Sequence, residues 1–223
     1  MVYLLNAEAG QETLHVKSED FKYLIKVRRH KVGDELGFRN KEDINRLHIY
    51  RLQKIEPRSA VFELLSSEIF EVKASKELHI GWCVIDNKSV EKVLAALNET
   101  GVQKITFIYC ERSQKNFKPD FKRFERILQA SNQQCGRTEF MEFATCKGLE
   151  EFIKENPDTK VFDFTDKKLE CENNFTTVLI GCEGGFSARE KEFLKNQEIF
   201  RLGTPMILRS ESAVLAVASK ILL

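Results

Sequence analysis

Paired cysteines, long apolar runs and a surplus of charge of one sign are all missing from this sequence. The six cysteines include no C-x-x-C pair and the four histidines are isolated, so neither a zinc site nor a disulfide framework is expected. No stretch reaches the ~20 apolar residues of a membrane span. These absences favour a protein of the reducing cytoplasm with no metal and no membrane partner. The cysteines are Cys83, Cys110, Cys135, Cys146, Cys171 and Cys182.

The balance of charge limits what composition alone says about partners. Lysine and arginine number 35 against 34 aspartate and glutamate residues, which gives a formal net charge of +1. A nucleic-acid role would therefore depend on local clusters of basic residues. What is present is a chain of 223 residues with 42% hydrophobic content, enough for one large domain or two small ones with buried cores.

Residues 1–70 contain short β-like runs separated by turns, a pattern that predicts a small barrel or a curled sheet. One helix is expected over Ser18–Val27, with Ser18 as its N-cap. Residues 71–77 are predicted to form a linker. The predicted strands are Val2–Leu5, Glu35–Phe38, Leu47–Ile55 and Ala60–Leu65.

A basic segment lies within this first region. No acidic residue occurs between Phe21 and Gly33. Such a segment suits contact with the phosphates of an RNA, and the alternative is a charged face that is merely solvated. Its cations are Lys22, Lys26, Arg28, Arg29 and Lys31.

From residue 78 onward, predicted strands and helices alternate, which indicates a largely parallel sheet covered by helices. Gly101 is expected as a left-handed C-cap, and Pro119 in the first turn of a helix. The predicted strands are Leu78–Ile85, Lys104–Cys110, Glu139–Phe143, Lys160–Phe164, Thr176–Ile180 and Ile199–Leu202. The predicted helices are Ser89–Thr100, Pro119–Gln134, Leu149–Glu155, Ala188–Asn196 and Glu211–Leu222.

Two loops near the C-terminus each connect an apolar strand to a helix. In the first, Gly181 is expected where a Cβ would clash, and Ser187 with Glu190 predicts a capping box. Loops of this kind lie at the carboxyl edge of a sheet, where open α/β folds bind ligands. The spacing is not G-x-G-x-x-G and no P-loop lysine follows, which argues against dinucleotides and triphosphates. A purely structural turn is the alternative.

The second loop runs from Leu202 to the last helix. Pro205 stiffens it, and Ile207-Leu208 offers apolar surface with backbone donors and acceptors, which an adenine ring requires. The last helix is apolar nearly all round, so we expect it to be buried by the domain or by a second subunit.

Residues 179–187 read Leu-Ile-Gly-Cys-Glu-Gly-Gly-Phe-Ser, and residues 207–213 read Ile-Leu-Arg-Ser-Glu-Ser-Ala. With Glu111-Arg112-Ser113 and the Gln133-Gln134 and Arg137 element, they resemble the RsmE family of ribosomal RNA methyltransferases in the SPOUT superfamily. The resemblance implies an α/β fold with two domains. Residues 1–70 would form a PUA-like, RNA-binding β-barrel domain. Residues 78–223 would form a SPOUT-type domain with a trefoil knot and a mostly parallel sheet. It also implies S-adenosylmethionine-dependent methylation of N3 of a specific uridine in 16S ribosomal RNA of the small subunit, by a homodimer that associates through the C-terminal domain.

The motifs and the resemblance together give candidate site residues. The first catalytic candidate is Arg209, a fixed cation that would favour the deprotonated uracil ring, and the second is Glu211; the alternative for Arg209 is an ion pair with Glu211. A competing hypothesis is an RNA-binding ribosome-assembly factor whose catalytic loops have lost activity. The candidates for cofactor binding are Phe164, Gly181, Glu183, Gly184, Leu202, Gly203, Ile207 and Leu208. The candidates for RNA contact are Lys26, Arg28, Arg29, Arg112 and Arg137.

Overall fold

The structure, a computed structural model, describes residues 2–114, 116, 118–170 and 175–223. Cys171, one of the six cysteines, lies outside these described residues. The chain divides into two units. The first comprises the residues up to Lys73 together with Asn132–Glu139, and the second comprises Ala74–Ser131 and Phe140–Leu223.

The first unit contains a five-stranded sheet. Its strands are β1 (Leu4–Leu5), β2 (Thr13–Lys17), β3 (Glu35–Asn40), β4 (Asp43–Ile55) and β5 (Ser59–Ile69). Their order is β1-β3-β4-β5-β2, in which β1 pairs parallel with β3 and the other neighbours are antiparallel. Register shifts along the β4–β5 pair mark β-bulges, which bend these long strands. Edge-to-face contacts of Phe38 with Tyr50 and Phe62 lie in its core.

The helix predicted over residues 18–27 is present, but its cap and its second half differ from the prediction. Helix α1 (Ser18–Phe21) continues into a π-helical segment (Lys22–Val27). The N-cap is Lys17, which makes no side-chain capping bond, and Ser18 itself has a left-handed φ of 54°. The prediction of Ser18 as the cap is therefore wrong.

The second unit contains a six-stranded sheet in which every pairing is parallel, as the alternating pattern predicts. Its strands are β6 (His79–Cys83), β7 (Lys104–Ile108), β8 (Glu142–Cys146), β9 (Lys160–Phe162), β10 (Thr177–Ile180) and β11 (Ile199–Phe200). Its helices are α2 (Asn87–Thr100), α3 (Phe121–Cys135), α4 (Leu149–Glu155), α5 (Ala188–Leu194) and α6 (Ser210–Leu222), of which α3 ends in the first unit. The strand order is β11-β9-β10-β6-β7-β8, so the ends of β9, β10 and β11 are neighbours at one edge.

In the second unit, the predicted C-cap at Gly101 is present, whereas one helix and one strand begin later than predicted. Gly101 is confirmed as a left-handed C-cap, with a φ of 102°. Pro119 is not in the first turn of α3, because the helix begins two residues later and the Asp120 carboxylate accepts a capping bond from the Arg123 N–H at 3.0 Å. The strand predicted over Glu139–Phe143 begins three residues later, as β8.

The last helix is buried, as its composition predicts. In α6, the one exposed residue is Ser212, while Val214, Val217, Ala218, Ile221 and Leu222 are buried. The single tryptophan, Trp82, is fully buried in the same core. Burial of this apolar helix positions its first residue, Ser210, beside the end of β10.

Candidate active site

The loop at residues 181–187, called the glycine loop below, connects β10 to α5. Gly185 has a φ of +63°, a left-handed conformation that glycine adopts without strain, and its N–H donates to the Cys182 carbonyl at 2.9 Å. At Gly181 an added Cβ would make only an ordinary contact with Phe186, at 3.5 Å. The expected clash at Gly181 is therefore not observed, and Gly185 supplies the left-handed turn.

The start of α5 is fixed by the predicted capping box, which is confirmed. The Ser187 hydroxyl accepts a hydrogen bond from the Glu190 N–H at 3.1 Å, and the Glu190 carboxylate accepts one from the Ser187 N–H at 2.8 Å. Glu190 is buried, with 7% of its surface exposed. The box therefore ends the glycine loop at a defined residue.

Ser210 links the glycine loop to the second predicted loop. Its hydroxyl donates to the Gly181 carbonyl at 2.6 Å and accepts a hydrogen bond from the Trp82 indole N–H at 2.8 Å. The bond to Trp82 is buried, where a lost partner would be costly. The C-terminal end of the second loop is thus attached to the end of β10.

The loops that follow β9, β10 and β11 line one cavity of about 1140 Å³. A pocket for a drug-sized ligand measures about 300–1,000 Å³, so this cavity can hold a cofactor and part of a second reactant. Among the described residues that line this cavity, the predicted cofactor residue Gly203 is absent. The predicted residues that do line it are Phe164, Gly181, Glu183, Gly184, Leu202, Ile207 and Leu208.

The cavity also has lining residues that were not predicted for cofactor binding. Asp163 and Lys191 form an ion pair at 3.0 Å, and Arg112, assigned to RNA from the sequence, lies here too. Asp163 directly follows β9, a position that could have indicated it. Phe164 and Ile207 are 76% and 83% exposed, so apolar surface remains uncovered at the mouth.

The two catalytic candidates differ sharply in their surroundings. Arg209 is the exposed N-cap residue of α6. Glu211 is buried, 7% exposed, and within the described chain its Oε2 atom has no hydrogen-bond partner. No ion pair joins the two side chains in that part of the chain, so the alternative explanation for Arg209 is not observed. Neither residue belongs to the cavity lining formed by the described residues.

The candidates for RNA contact also separate by burial. Lys26, Arg28 and Arg29 are exposed on the π-helical segment and the residues after it, where Arg29 has a left-handed φ of 62°. The Arg28 guanidinium donates to the Tyr23 hydroxyl at 2.9 Å and lies over its ring. Arg137 is only 3% exposed, and burial lowers the pKa of its guanidinium. It therefore presents little surface to a phosphate.

The thiols of Cys83 and Cys182 in the second unit are poor nucleophiles. Burial raises the pKa of Cys83 well above its ordinary value, and burial also raises the pKa of Cys182 in the glycine loop. The cysteines among the described residues are free. These thiols stay protonated at neutral pH, so we assign the site no covalent thiol chemistry.

Neither a metal cluster nor a membrane-spanning helix occurs among the described residues. They contain no group of three or more histidine, cysteine, aspartate or glutamate side chains arranged to hold a metal ion. Every helix they include falls short of the length and apolar character that crossing a membrane requires.

The sequence model of the RNA methyltransferase domain family matches residues 72–222, the region that holds the parallel sheet and the cavity at its strand ends. Ribosomal RNA small subunit methyltransferase E of Helicobacter pylori is 36% identical over 223 residues, with 98% of each chain covered. The Aquifex aeolicus protein of the same name is 26% identical and covers 87% of this chain and 88% of its own. The chain belongs to the ribosomal RNA small subunit methyltransferase E family, RsmE.

Solved structures agree on the fold. A Legionella pneumophila protein described as a methyltransferase, solved with S-adenosylmethionine, superposes with a TM-score of 0.75 at 21% identity and covers 98% of this chain and 95% of its own. Ribosomal RNA small subunit methyltransferase E of Neisseria gonorrhoeae, bound to S-adenosylmethionine, superposes with a TM-score of 0.74 at 18% identity. It also covers 98% of this chain and 95% of its own. At these identities the likeness establishes the fold.

Proposed function

We propose that this protein transfers the methyl group of S-adenosylmethionine to N3 of a uridine in 16S ribosomal RNA of the small subunit. The observation that carries the proposal is the single cavity formed by the loops after β9, β10 and β11. Family membership supports the reaction class, and the relatives solved with S-adenosylmethionine support the cofactor. A substrate of this kind places the protein in the cytoplasm.

The residues of the cavity fit S-adenosylmethionine. The adenine ring needs an apolar slot with backbone donors and acceptors, which Leu202 and Ile207-Leu208 provide. Gly184 lies against Arg112 in the cavity lining, and an added Cβ would make an ordinary contact with that side chain at 3.4 Å. Phe164 and Glu183 complete the proposed cofactor set, and Gly203 contributes the chain turn before Thr204 rather than a lining surface.

Arg209 is the proposed catalytic cation. S-adenosylmethionine supplies a methyl group on a positively charged sulfur, a bond already activated for transfer. The chain must align uridine N3 with that methyl group and stabilise the negative charge left when N3 loses its proton. An exposed guanidinium at the start of α6 can hold a uracil oxygen and favour the charged ring. Glu211 is the second candidate, a buried acceptor for a donor supplied by a ligand or a partner.

RNA contact is proposed for the exposed cations of the first unit. Lys26, Arg28 and Arg29 form a contiguous basic surface, and Tyr23 holds the Arg28 guanidinium in place. The left-handed Arg29 is a strained residue of the kind that concentrates at functional sites. We leave Arg137 out of this surface because it is buried. Each phosphate contact removed should reduce the salt slope of duplex binding by about 0.9.

Three finer features are part of the same proposal. Residues 1–70 act as a PUA-like RNA-binding domain, residues 71–77 join it to the rest, and residues 78–223 carry a trefoil knot at the cofactor loops. The protein acts as a homodimer through this second domain. Uncovered apolar side chains at Phe164, Met206 and Ile207 support a partner surface there. Sedimentation as a monomer at micromolar concentration would contradict the dimer.

The test of the proposed function separates cofactor binding from methyl transfer. The full chain should bind S-adenosylmethionine in calorimetry and transfer labelled methyl groups to small ribosomal subunits or their RNA, with mass mapping placing the label on uridine N3. Arg209→Ala should bind the cofactor normally but lose about 10²–10³-fold in transfer rate, the scale typical of one removed charge-stabilising donor.

Arg126→Ala, an exposed arginine on α3, is the matched control and should transfer at the wild-type rate. Cofactor binding without transfer to any ribosomal substrate would favour the ribosome-assembly factor instead. Wild-type turnover by Arg209→Ala would remove the catalytic assignment of that residue.

A further inference from the structure

Arg112 contacts the glycine loop directly. Its Nη1 donates to the Gly184 carbonyl at 2.8 Å, and its side chain lies against Gly184, where an added Cβ would be 3.4 Å away. The residue follows β7, whereas the loop follows β10, so this bond joins two strand ends that lie on opposite sides of β6. A charged donor makes such a bond stronger than a neutral one.

Glu190 makes a second connection between the same two segments. Its Oε2 accepts the Ser187 N–H of the capping box, while its Oε1 accepts the Glu111 N–H at 2.9 Å. The capping box requires only the bond to Ser187. The additional bond attaches the residue before Arg112 to the end of the glycine loop, and both oxygens of a buried carboxylate are thereby used.

The two bonds act on a loop with much backbone freedom. Gly184 and Gly185 are adjacent, and glycine loses more conformational entropy on ordering than any other residue. The Arg112 bond fixes the carbonyl of Gly184. The Glu190 carboxylate, which also accepts the Glu111 N–H, fixes the N–H of Ser187 on the other side of the left-handed Gly185. A loop ordered before the ligand arrives does not have to be ordered by binding, which raises affinity.

We propose that Arg112 and Glu190 are positioning residues that hold the glycine loop in its cofactor-binding shape, an inference that rests on the proposed function. Arg112 then acts on the cofactor through Gly184 and is not primarily a contact for RNA phosphate. Its removal weakens S-adenosylmethionine binding and raises the KM for the cofactor, while kcat at saturating cofactor stays near that of the wild type.

The experiment measures cofactor Kd by calorimetry, RNA affinity and the unfolding midpoint of the cofactor-free full chain. Arg112→Ala should bind S-adenosylmethionine about tenfold more weakly, the loss expected for one hydrogen bond from a charged donor. Arg112→Lys keeps a charged donor with nearly the reach of Nη1 and should recover much of that affinity. A phosphate contact would show the reverse, with Arg112→Ala losing RNA affinity and keeping cofactor affinity.

Glu190→Gln tests the second bond, because an amide has one acceptor oxygen where two N–H groups need acceptors. It should also weaken cofactor binding about tenfold. If Glu190→Gln does not fold, the two variants at the exposed Arg112 still test the inference. The control is Arg123→Ala, which removes an exposed arginine paired with Glu91 at 3.3 Å and should leave cofactor affinity unchanged.

The outcomes distinguish the inference from the function on which it rests. Failure of the wild-type chain to bind S-adenosylmethionine would overturn the proposed function, and the inference with it. Binding by the wild type with unchanged Kd in Arg112→Ala would overturn the inference alone. Equal losses of cofactor affinity in Arg112→Ala and Arg112→Lys would also overturn the inference, because a donor able to reach the Gly184 carbonyl would then not restore binding.

Discussion

Among single residues, Glu211 presents the clearest conflict between stability and a proposed role. Its side chain is buried at the first turn of α6, and its Oε2 has no hydrogen-bond partner in the part of the chain the structure describes. A buried carboxylate oxygen without a hydrogen-bond partner is destabilising, although the positive end of the helix dipole offsets part of that cost. Residues that conflict with local stability in this way are found at functional sites.

We therefore predict that Glu211→Gln raises the free energy of unfolding by about 1 kcal/mol, because an uncharged amide is cheaper to bury. Methyl transfer should fall at least about tenfold, because the proposed role requires the carboxylate. Urea unfolding and a transfer assay measure the two effects. Glu125→Gln, at an exposed position of α3, is the control for both. A less stable Glu211→Gln protein would mean that the carboxylate has a partner in the folded chain.

The sequence could identify most residues of the candidate site but not their surroundings. Loop residues such as Gly181 and Leu208 follow from strand ends and glycine motifs, which are local patterns. The role of Arg112 depends on a bond to Gly184 across 72 positions of sequence. The burial of Arg137 depends on neighbours such as Tyr3, whose hydroxyl donates to the Arg137 carbonyl at 2.8 Å. Contacts at that separation leave no local pattern.

At the scale of elements, periodicity predicted the kind of most helices and strands, and local bonding decided their ends. The capping box at Ser187 and the left-handed Gly101 were visible in the sequence because each needs a particular residue type. The π-helical turn at Lys22–Val27 has the same apolar spacing as an α-helix, so composition does not distinguish it. Strand β2 was missed although Thr13–Lys17 alternates between exposed and buried side chains.

Strand β6 contains a histidine that makes stability depend on pH. Burial, together with the nearby Lys104 charge, lowers the pKa of His79 from 6.5 to about 4. Its Nε2 is 2.8 Å from the Thr106 hydroxyl on β7. Between these two pH values the unfolded chain binds a proton that the folded chain does not. This contribution to stability is therefore complete above pH 6.5 and is lost as the pH falls towards 4.

We predict that the unfolding midpoint of the wild type decreases as the pH falls from 6.5 to 4, and that the midpoint of His79→Gln decreases less. Thermal unfolding at a series of pH values, followed by circular dichroism, makes the comparison. His15→Gln removes a histidine from an exposed position and serves as the control. A pH profile of His79→Gln that matches the wild type would contradict the assignment to His79.

At the scale of the whole molecule, the chain order and the folded units do not coincide. Residues Asn132–Glu139 belong to the first unit although the sequence on both sides of them belongs to the second. The Val2 N–H donates to the Gln133 carbonyl at 2.9 Å, and the Thr138 N–H donates to the Val72 carbonyl at 2.9 Å. Backbone bonds of this kind carry no side-chain signature, so sequence reasoning had no means of predicting them.

Cofactor binding should be visible in the stability of the whole chain. A ligand that binds only the folded state stabilises it by about 2.7 kcal/mol at 100 times its Kd, which corresponds to an increase of about 5–10 °C in the unfolding midpoint for a chain of this size. S-adenosylmethionine should produce this increase, whereas ATP and NAD should not, because the glycine loop lacks the phosphate-binding spacing of either site. Gly184→Trp should lose the increase, since its side chain would displace Arg112 and enter the cavity. An equal increase with ATP would contradict the methyl-donor assignment and favour a nucleotide-binding enzyme.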